Sequence, residues 1–448
     1  MIRALNTKHL LGYGIADAGQ ALIGTLIGFY QLYFLTDVIR LPLGKVAGLF
    51  FLTKILDTVT FPFFGLVVDR MGGRTGKLRP WLGWLIVPFL AASSLLFAFD
   101  KNWSAETREI YTYIVVSFFV VISGLLSVVY AGLLSSIADL ASDRAKLSTI
   151  RFAFAFGAST IATFSIQHVV DYFGGKESGG FYYVALIFSL ISSIALCITY
   201  STTIERRCDR TVPNVETFSG IWLLFKTKAF VAALIATLFT GIFVTIKSQM
   251  TLYFITYVMQ RKDIANLMLA TGTISCALGV VGIGFFINRI DRQKLFVYLM
   301  ALNAIFIAAI YFIDKNNTQL IIISHSLNSV LGGACAPVIF SIYSDIVDYL
   351  HHSKGYRSPA LINSIAMLGG RIGGSLGMIL TPLGLAYFNY RPDVAQLPSS
   401  LHGIVVMFTI VPAALAGLSA IAMIAYKISN RQAEETSHQL SYRIKEFA

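Results

Sequence analysis

The chain has 448 residues, of which 56% are hydrophobic and only 13% charged; its mean hydropathy is +0.71 and its formal net charge +12. Soluble domains carry about 25% charged residues, so a water-soluble fold is excluded. The roughly ten-residue alternating segments of an outer-membrane barrel are missing too, which leaves a helical integral membrane protein.

The N-terminal stretch MIRALNTKHLLGYG lacks a short apolar core ending in a small-residue cleavage site, so the first apolar run is read as a retained span. A span needs about 20 apolar residues. Twelve runs qualify: 11–36, 44–68, 81–99, 110–138, 150–172, 181–203, 222–258, 264–288, 295–313, 318–347, 360–388 and 401–426. Those longer than a bilayer needs should tilt or project beyond it. The polar break 204–221 divides the chain into an N-terminal six-helix bundle (1–203) and a C-terminal one (222–426), followed by a polar tail (427–448). Four cysteines (Cys197, Cys208, Cys276 and Cys335) are scattered without a C-x-x-C pair and imply neither a disulfide framework nor a metal site.

In a membrane protein a positive excess reports orientation before it reports nucleic acid. With both ends on one side, the loops of that side hold 23 Lys and Arg and the opposite loops 9, which predicts cytoplasmic termini. The halves echo each other: LYFLTDV at 32–38 returns as LYFITYV at 252–258, and Arg151 and Arg371 share the same spacing of 220. Two repeats around a central site are the common plan of secondary transporters.

Charges within the spans carry the functional signal. A charge at the bilayer centre costs about 2.5–3.5 kcal/mol on insertion scales, so Lys54, Lys247 and Arg371 must face a cavity, pair, or in the case of Lys247 reach the interface. The acids are Asp17 on the first run, Asp57 on the second, and Asp345 and Asp348 at the end of the tenth. Asp57 follows Lys54 by three residues and shares its helix face; it is the coupling-ion candidate, with Lys54 as its partner. A single acid favours a proton over Na⁺, which needs several oxygen ligands; Na⁺ at Asp57 is the alternative. Asp17, Tyr130, Arg151, Lys247 and Arg371 are the candidate substrate contacts. Arginine suits a carboxylate or sulfonate through its planar donor fork, so the cationic balance points to an acid-bearing solute such as a uronide or sulfonated sugar. Tyr130, Tyr253 and Phe34 could offer faces to a sugar ring. His325 reads as a packing residue, and GGRIGGSLG (369–377) as small residues for close helix contact, since a phosphate loop would need a K-[ST] ending.

The loop after the second run, with Gly65, Asp69, Arg70, Gly72 and Arg74, resembles the G-x-x-x-D-R-x-G-x-R loop of major facilitators. Narrower matches follow. Tyr13, Gly14 and Asp17 open the first run; Lys54 and Asp57 lie on the second; Gly76, Lys77, Arg79, Pro80 and Trp81 follow it; Asp345–Tyr349, Lys354, Arg357, Arg371, Gly373 and Gly374 occupy the tenth and eleventh. In these the chain resembles the glycoside–pentoside–hexuronide:cation symporter family of the major facilitators, over nearly its whole length. The resemblance implies an all-α fold of twelve transmembrane helices in two six-helix halves. Melibiose-type members carry further acids at the positions of Ala21, Phe61 and, by a less secure alignment, Tyr130; their replacement here argues against a galactoside. The resemblance also implies a latch of Asp69, Arg70, Arg74, Asp139, Asp345 and Asp348 at the cytoplasmic helix ends.

The expected function is therefore cation-coupled symport of a small polar solute by alternating access, in the inner membrane. The alternative is a lipid or lysolipid carrier of the same fold. No enzyme chemistry is expected: H-E-x-x-H is absent, as are a metal cluster and a glutamate within a helix core. The expected partners are the solute, the coupling cation and membrane lipid, with no cofactor, no nucleic acid and a monomeric state.

Overall fold

In hydrocarbon each backbone N–H and C=O must be bonded within its own segment, and a helix does this residue by residue. The computed structural model describes residues 7–70, 78–100, 102–137, 141–175, 179–203, 217–287, 289–354, 359–392, 394, 396–426 and 428; side chains at 58–70, 134–136, 141–146, 217–221, 359–364 and a few further positions, Asp348 among them, lie outside the description. Among the described residues there is no strand, and nine helical stretches are long and apolar enough to cross a membrane.

The elements are α1 (Thr7–Tyr33), α2 (Leu43–Arg70), α3 (Arg79–Leu95), α4 (Ala105–Ile137), α5 (Ala141–Tyr172), α6 (Gly180–Thr202), α7 (Thr217–Lys226), α8 (Lys228–Tyr253), α9 (Ala265–Gly282), α10 (Arg292–Phe312), α11 (Thr318–Lys354), α12 (Pro359–Tyr387), α13 (Pro398–Phe408) and α14 (Ile410–Ile424). Besides the nine stretches, α2, α3 and α12 occupy the other three apolar runs. Two runs that read as continuous are broken. The run 222–258 is interrupted at Thr227, whose extended backbone separates α7 from α8. The final run is broken at Thr409, between α13 and α14.

The chain forms two compact units, Met1–Val212 with Arg391–Val394, and Pro213–Tyr390 with Ala395–Ala448. In the first, α1 packs against α5 and α6, α3 against α4 and α6, and α2 against α4. In the second, α8 packs against α12 and α14, α11 against α9 and α10, and α10 against α14. Two buried hydroxyls tie α6 to α1: Thr199 Oγ1 donates to the Gly12 carbonyl at 2.7 Å and Ser192 Oγ to the Gly19 carbonyl at 2.6 Å.

The sequence echo has a structural counterpart. At Phe34–Val38 and again at Phe254–Met259 the helix widens into a π-helix. Each is followed by a non-glycine residue in the left-handed region, Arg40 (φ 64°) and Gln260 (φ 54°). Each is closed by the same backbone bond, Leu41 N–H to Leu35 O at 2.9 Å and Arg261 N–H to Ile255 O at 3.3 Å. All three features recur at a separation of 220 residues.

The glycines of α12 serve close packing. A Cβ on Gly241 of α8 would lie 2.5 Å from the Gly370 carbonyl oxygen and 2.9 Å from the Gly374 nitrogen, both backbone atoms that cannot yield. Gly241→Val is therefore expected to cost at least the roughly 1–3 kcal/mol of an overpacked core, read as a lower melting temperature in detergent. Gly24→Ala, where a Cβ meets nothing within 4 Å, is the neutral control.

Candidate functional site

Small residues on α1 bring its neighbours close. A Cβ on Gly14 would sit 2.7 Å from Ile150 Cγ2, so α5 approaches α1 beside this glycine and sets the next residue, Arg151, opposite Asp17. Arg151 Nε donates to Asp17 Oδ2, and Nη2 donates to Oδ1 at 3.3 Å, a two-pronged ion pair. Tyr130 of α4 and Tyr13 of α1 complete the group. Each donates its hydroxyl to the other's carbonyl, Tyr13 at 2.9 Å and Tyr130 at 2.6 Å, while Tyr130 Oη also lies 3.2 Å from Asp17 Oδ2. The two rings stack at 4.5 Å, and the guanidinium lies 4.6 Å from the Tyr130 ring centre and 5.5 Å from that of Tyr13. Charge pairing, cation–π attraction and ring stacking thus act on one guanidinium. The tyrosines are buried, whereas the side chains of Arg151 and Asp17 remain 26% and 17% exposed.

The structure therefore gathers three of the sequence-selected residues, Asp17, Tyr130 and Arg151, and adds Tyr13, which the sequence had marked only through the family motif. The donor fork of Arg151 is occupied by Asp17, so a solute can reach it only by opening the pair.

On α2, Lys54 and Asp57 are both half-buried. The Asp57 carboxylate lies opposite Gly124 of α4, where a Cβ would come within 3.7 Å of Oδ1. The salt bridges among the described residues do not include Asp57. Lys54 is engaged in an interaction of its own.

In the second unit, Lys247 of α8 is 8% exposed, and no hydrogen bond or ion pair to its Nζ occurs among the described residues. Cys276 of α9 and His325 of α11 lie within electrostatic reach of it. Neither is an acid. His325, read from the sequence as a solitary packing residue, is buried against Phe408 with ring centres 6.4 Å apart, and its Nδ1 has no partner among the described residues. Its Nε2 lies where a Cβ on Gly272 would approach to 2.7 Å. Nothing in the spacing of Lys247, Cys276 and His325 along the chain announces this cluster, because three separate helices supply it. Arg371 is exposed on α12 and engaged by a neighbour.

Of the latch residues, Arg74 and Asp139 lie outside the described residues, as do the side chains of Asp69, Arg70 and Asp348. Asp345 is buried and paired with Arg292 of α10, a partner that sequence reading did not single out. All three candidate sugar-stacking rings are packed against other aromatics, Tyr130 on Tyr13 as described above. Phe34 lies against Phe97 and Phe181 at 4.8 and 5.7 Å, and Tyr253 against Tyr390 at 5.4 Å. No group of three or more His, Cys, Asp or Glu suited to a metal occurs among the described residues.

A helical membrane protein with charged groups held inside its own bundles is the architecture of a carrier, and solved structures agree on the fold. A mutant form of the nucleoside transporter NupG superposes with a TM-score of 0.70 at 14% identity, covering 94% of this chain and 100% of that one, which establishes the major facilitator fold. The chain belongs to the family described as MFS/sugar transport protein, which it matches over residues 12–430. It is thus a multi-pass membrane transporter and not an enzyme. Among curated relatives, the putative glycoside/cation symporter YagG of Escherichia coli (strain K12) is 26% identical over 438 residues, spanning 97% of this chain and 95% of the relative. The isoprimeverose transporter of Lactiplantibacillus pentosus is 27% identical over 427 residues, spanning 93% and 88%.

Breaking the Asp17–Arg151 pair from one side strands a charge in a poorly solvated place, which costs up to about 3–5 kcal/mol when burial is complete. Arg151→Gln alone is expected to lower stability by about 2–3 kcal/mol, given the partial exposure, and Asp17→Asn by a similar amount. The double variant should lose less than the sum of the two. Chemical denaturation in detergent measures this cycle, and strict additivity would show that the pair is not coupled.

Proposed function

We propose that this protein is a cation-coupled symporter of the inner membrane, importing a small sugar or glycoside that bears an acidic group, by alternating access and with both termini in the cytoplasm. The names of the two curated relatives support the sugar class and the cation coupling. The loop asymmetry of 23 Lys and Arg to 9 supports the orientation.

The observation that carries the acidic group is Lys247. A buried ammonium without a counter-ion is costly, and a carboxylate or sulfonate arriving on the solute offsets that cost. Arg151 is already neutralised by Asp17, so Lys247 is the better holder of the anion, with Arg371 as a second candidate. Asp17, Tyr130 and Arg151 form a group that a solute hydroxyl could enter by competing for the Tyr130 or Arg151 donors. Asp57 carries the coupling ion, a proton in preference to Na⁺, because the sequence supplies one acid here, with Phe61 four residues on, and Na⁺ needs several oxygen ligands where a proton needs one base. Coupling requires that ion binding favour the conformation that binds solute. The six latch residues, Asp69, Arg70, Arg74, Asp139, Asp345 and Asp348, would stabilise one of the conformations so exchanged.

Counterflow in proteoliposomes tests this. A hexuronate or sulfonated glycoside is expected to exchange faster than its neutral parent sugar. Lys247→Gln should remove that preference, by about tenfold or more, while sparing residual neutral-sugar exchange. Preference for the neutral sugar in the wild type, or movement of lysolipid in place of sugar, would overturn the reading. Asp57→Asn is expected to abolish uphill uptake driven by a pH gradient while preserving exchange at equilibrium.

A further inference from the structure

Where α7 meets α8, the second unit holds a cavity of about 1130 Å³ lined by α7, α8, α11 and α14, and no candidate solute or ion contact belongs to its wall. This exceeds the roughly 300–1,000 Å³ of pockets that hold drug-sized ligands. Its wall is apolar: Phe225, Ile235, Leu418 and Ile421 line it, and each is between 42% and 63% exposed. Such side chains on a membrane protein face acyl chains.

The chemistry changes at one end. Lys226 and Lys228 flank Thr227 at the break between the two helices, and both lysines are exposed. The Lys226 ammonium lies 5.3 Å from the ring centre of Trp222, itself exposed on the preceding turn. The apolar stretch of α8 long enough to cross a membrane begins at Lys228, so the two lysines mark its junction with water. Tryptophan and lysine at this depth are the usual anchors of the membrane boundary. Among the described residues no acidic residue lines the cavity, while Thr227 and Tyr349 do.

We infer that this groove is a binding site for an anionic phospholipid, its phosphate between Lys226 and Lys228 and its acyl chains along Phe225, Ile235, Leu418 and Ile421. A zwitterionic lipid fits the apolar part equally but carries a compensating cation beside its phosphate, so charge complementarity selects the anionic headgroup. Basic pockets between helices at the boundary recognise lipids in this way, and each lysine near an anionic surface is worth about fivefold in affinity. The site is independent of the transport reading, because none of its lining residues is a proposed solute or ion contact.

The test uses the purified full-length protein in detergent, with phosphatidylglycerol as the probe, phosphatidylethanolamine beside it, and retained lipid counted by native mass spectrometry. Wild-type protein is expected to retain phosphatidylglycerol in preference to phosphatidylethanolamine. Lys226→Gln/Lys228→Gln should weaken phosphatidylglycerol binding about ten- to thirtyfold and leave phosphatidylethanolamine unchanged, and Lys226→Arg/Lys228→Arg should restore it. Lys45→Gln/Lys294→Gln, which removes equal charge elsewhere, should have no effect. Equal retention of the two lipids by the wild type, undiminished phosphatidylglycerol binding in the glutamine variant, or an equal loss in the Lys45/Lys294 control would each overturn the site.

Discussion

A charge removed from water must be met by something, and that constraint orders the interior of this protein. At the Asp17–Arg151 pair the protein meets it internally. Two helices approach beside Gly14, the guanidinium is matched by a carboxylate through two donors, and two stacked tyrosines cover what remains. At Lys247 no such partner stands among the described residues: the ammonium is buried with a thiol and an imidazole for company. Fold stability explains the first arrangement. It does not explain the second, since an apolar side chain at 247 would pack at no electrostatic cost. The role proposed for Lys247 rests on that difference.

The internal repeat sharpens the contrast. The π-helical ends, the left-handed residues Arg40 and Gln260 and their closing backbone bonds recur at the same separation, so the two units share a backbone template. Their charges do not follow it. Arg151 has its counterpart in Arg371, but the position corresponding to Asp17 is Thr237, which bonds at 2.8 Å to the Tyr343 hydroxyl. Lys247 corresponds to Ile27. A duplicated scaffold thus carries this acid in one copy and this buried cation in the other, as expected when geometry is retained for folding and chemistry diverges for a ligand that is not symmetric.

Much of the fold was legible because bilayer thickness imposes a length on every apolar run. The runs at 181–203 and 295–313 became α6 and α10 within a few residues. The break at Thr409 was not legible, because a single threonine in an apolar run gives no periodic signal against helix continuation, whereas the one at Thr227 was marked by the flanking Lys226 and Lys228 and missed only because the run was started at 222. In the candidate site, Asp17, Tyr130 and Arg151 could be selected by the cost of buried charge and by motif position, but their mutual contact could not. Sequence separations of 117 and 134 carry no distance information without the packing of α1 on α4 and α5. The neighbours of Lys247 were missed for the same reason, and Arg292 was missed because it stands at a helix start among ordinary loop cations, where its pairing with buried Asp345 leaves no trace in composition.

The cost of buried charge also bears on how a carrier could select its cargo. If Arg151 held the solute's anion, Asp17 would have to surrender its partner, and the gain from the incoming charge would be largely cancelled by the carboxylate left behind. If Lys247 holds it, no internal pair is broken and nearly all of the charge pairing contributes to binding. The same reasoning gives the Asp17–Arg151–Tyr130 group a different role, in which hydroxyls exchange hydrogen bonds with a neutral pair at little electrostatic cost. On the proposed reading, a wholly neutral sugar would leave Lys247 without a counter-ion, so the preference for charge would rest on that residue.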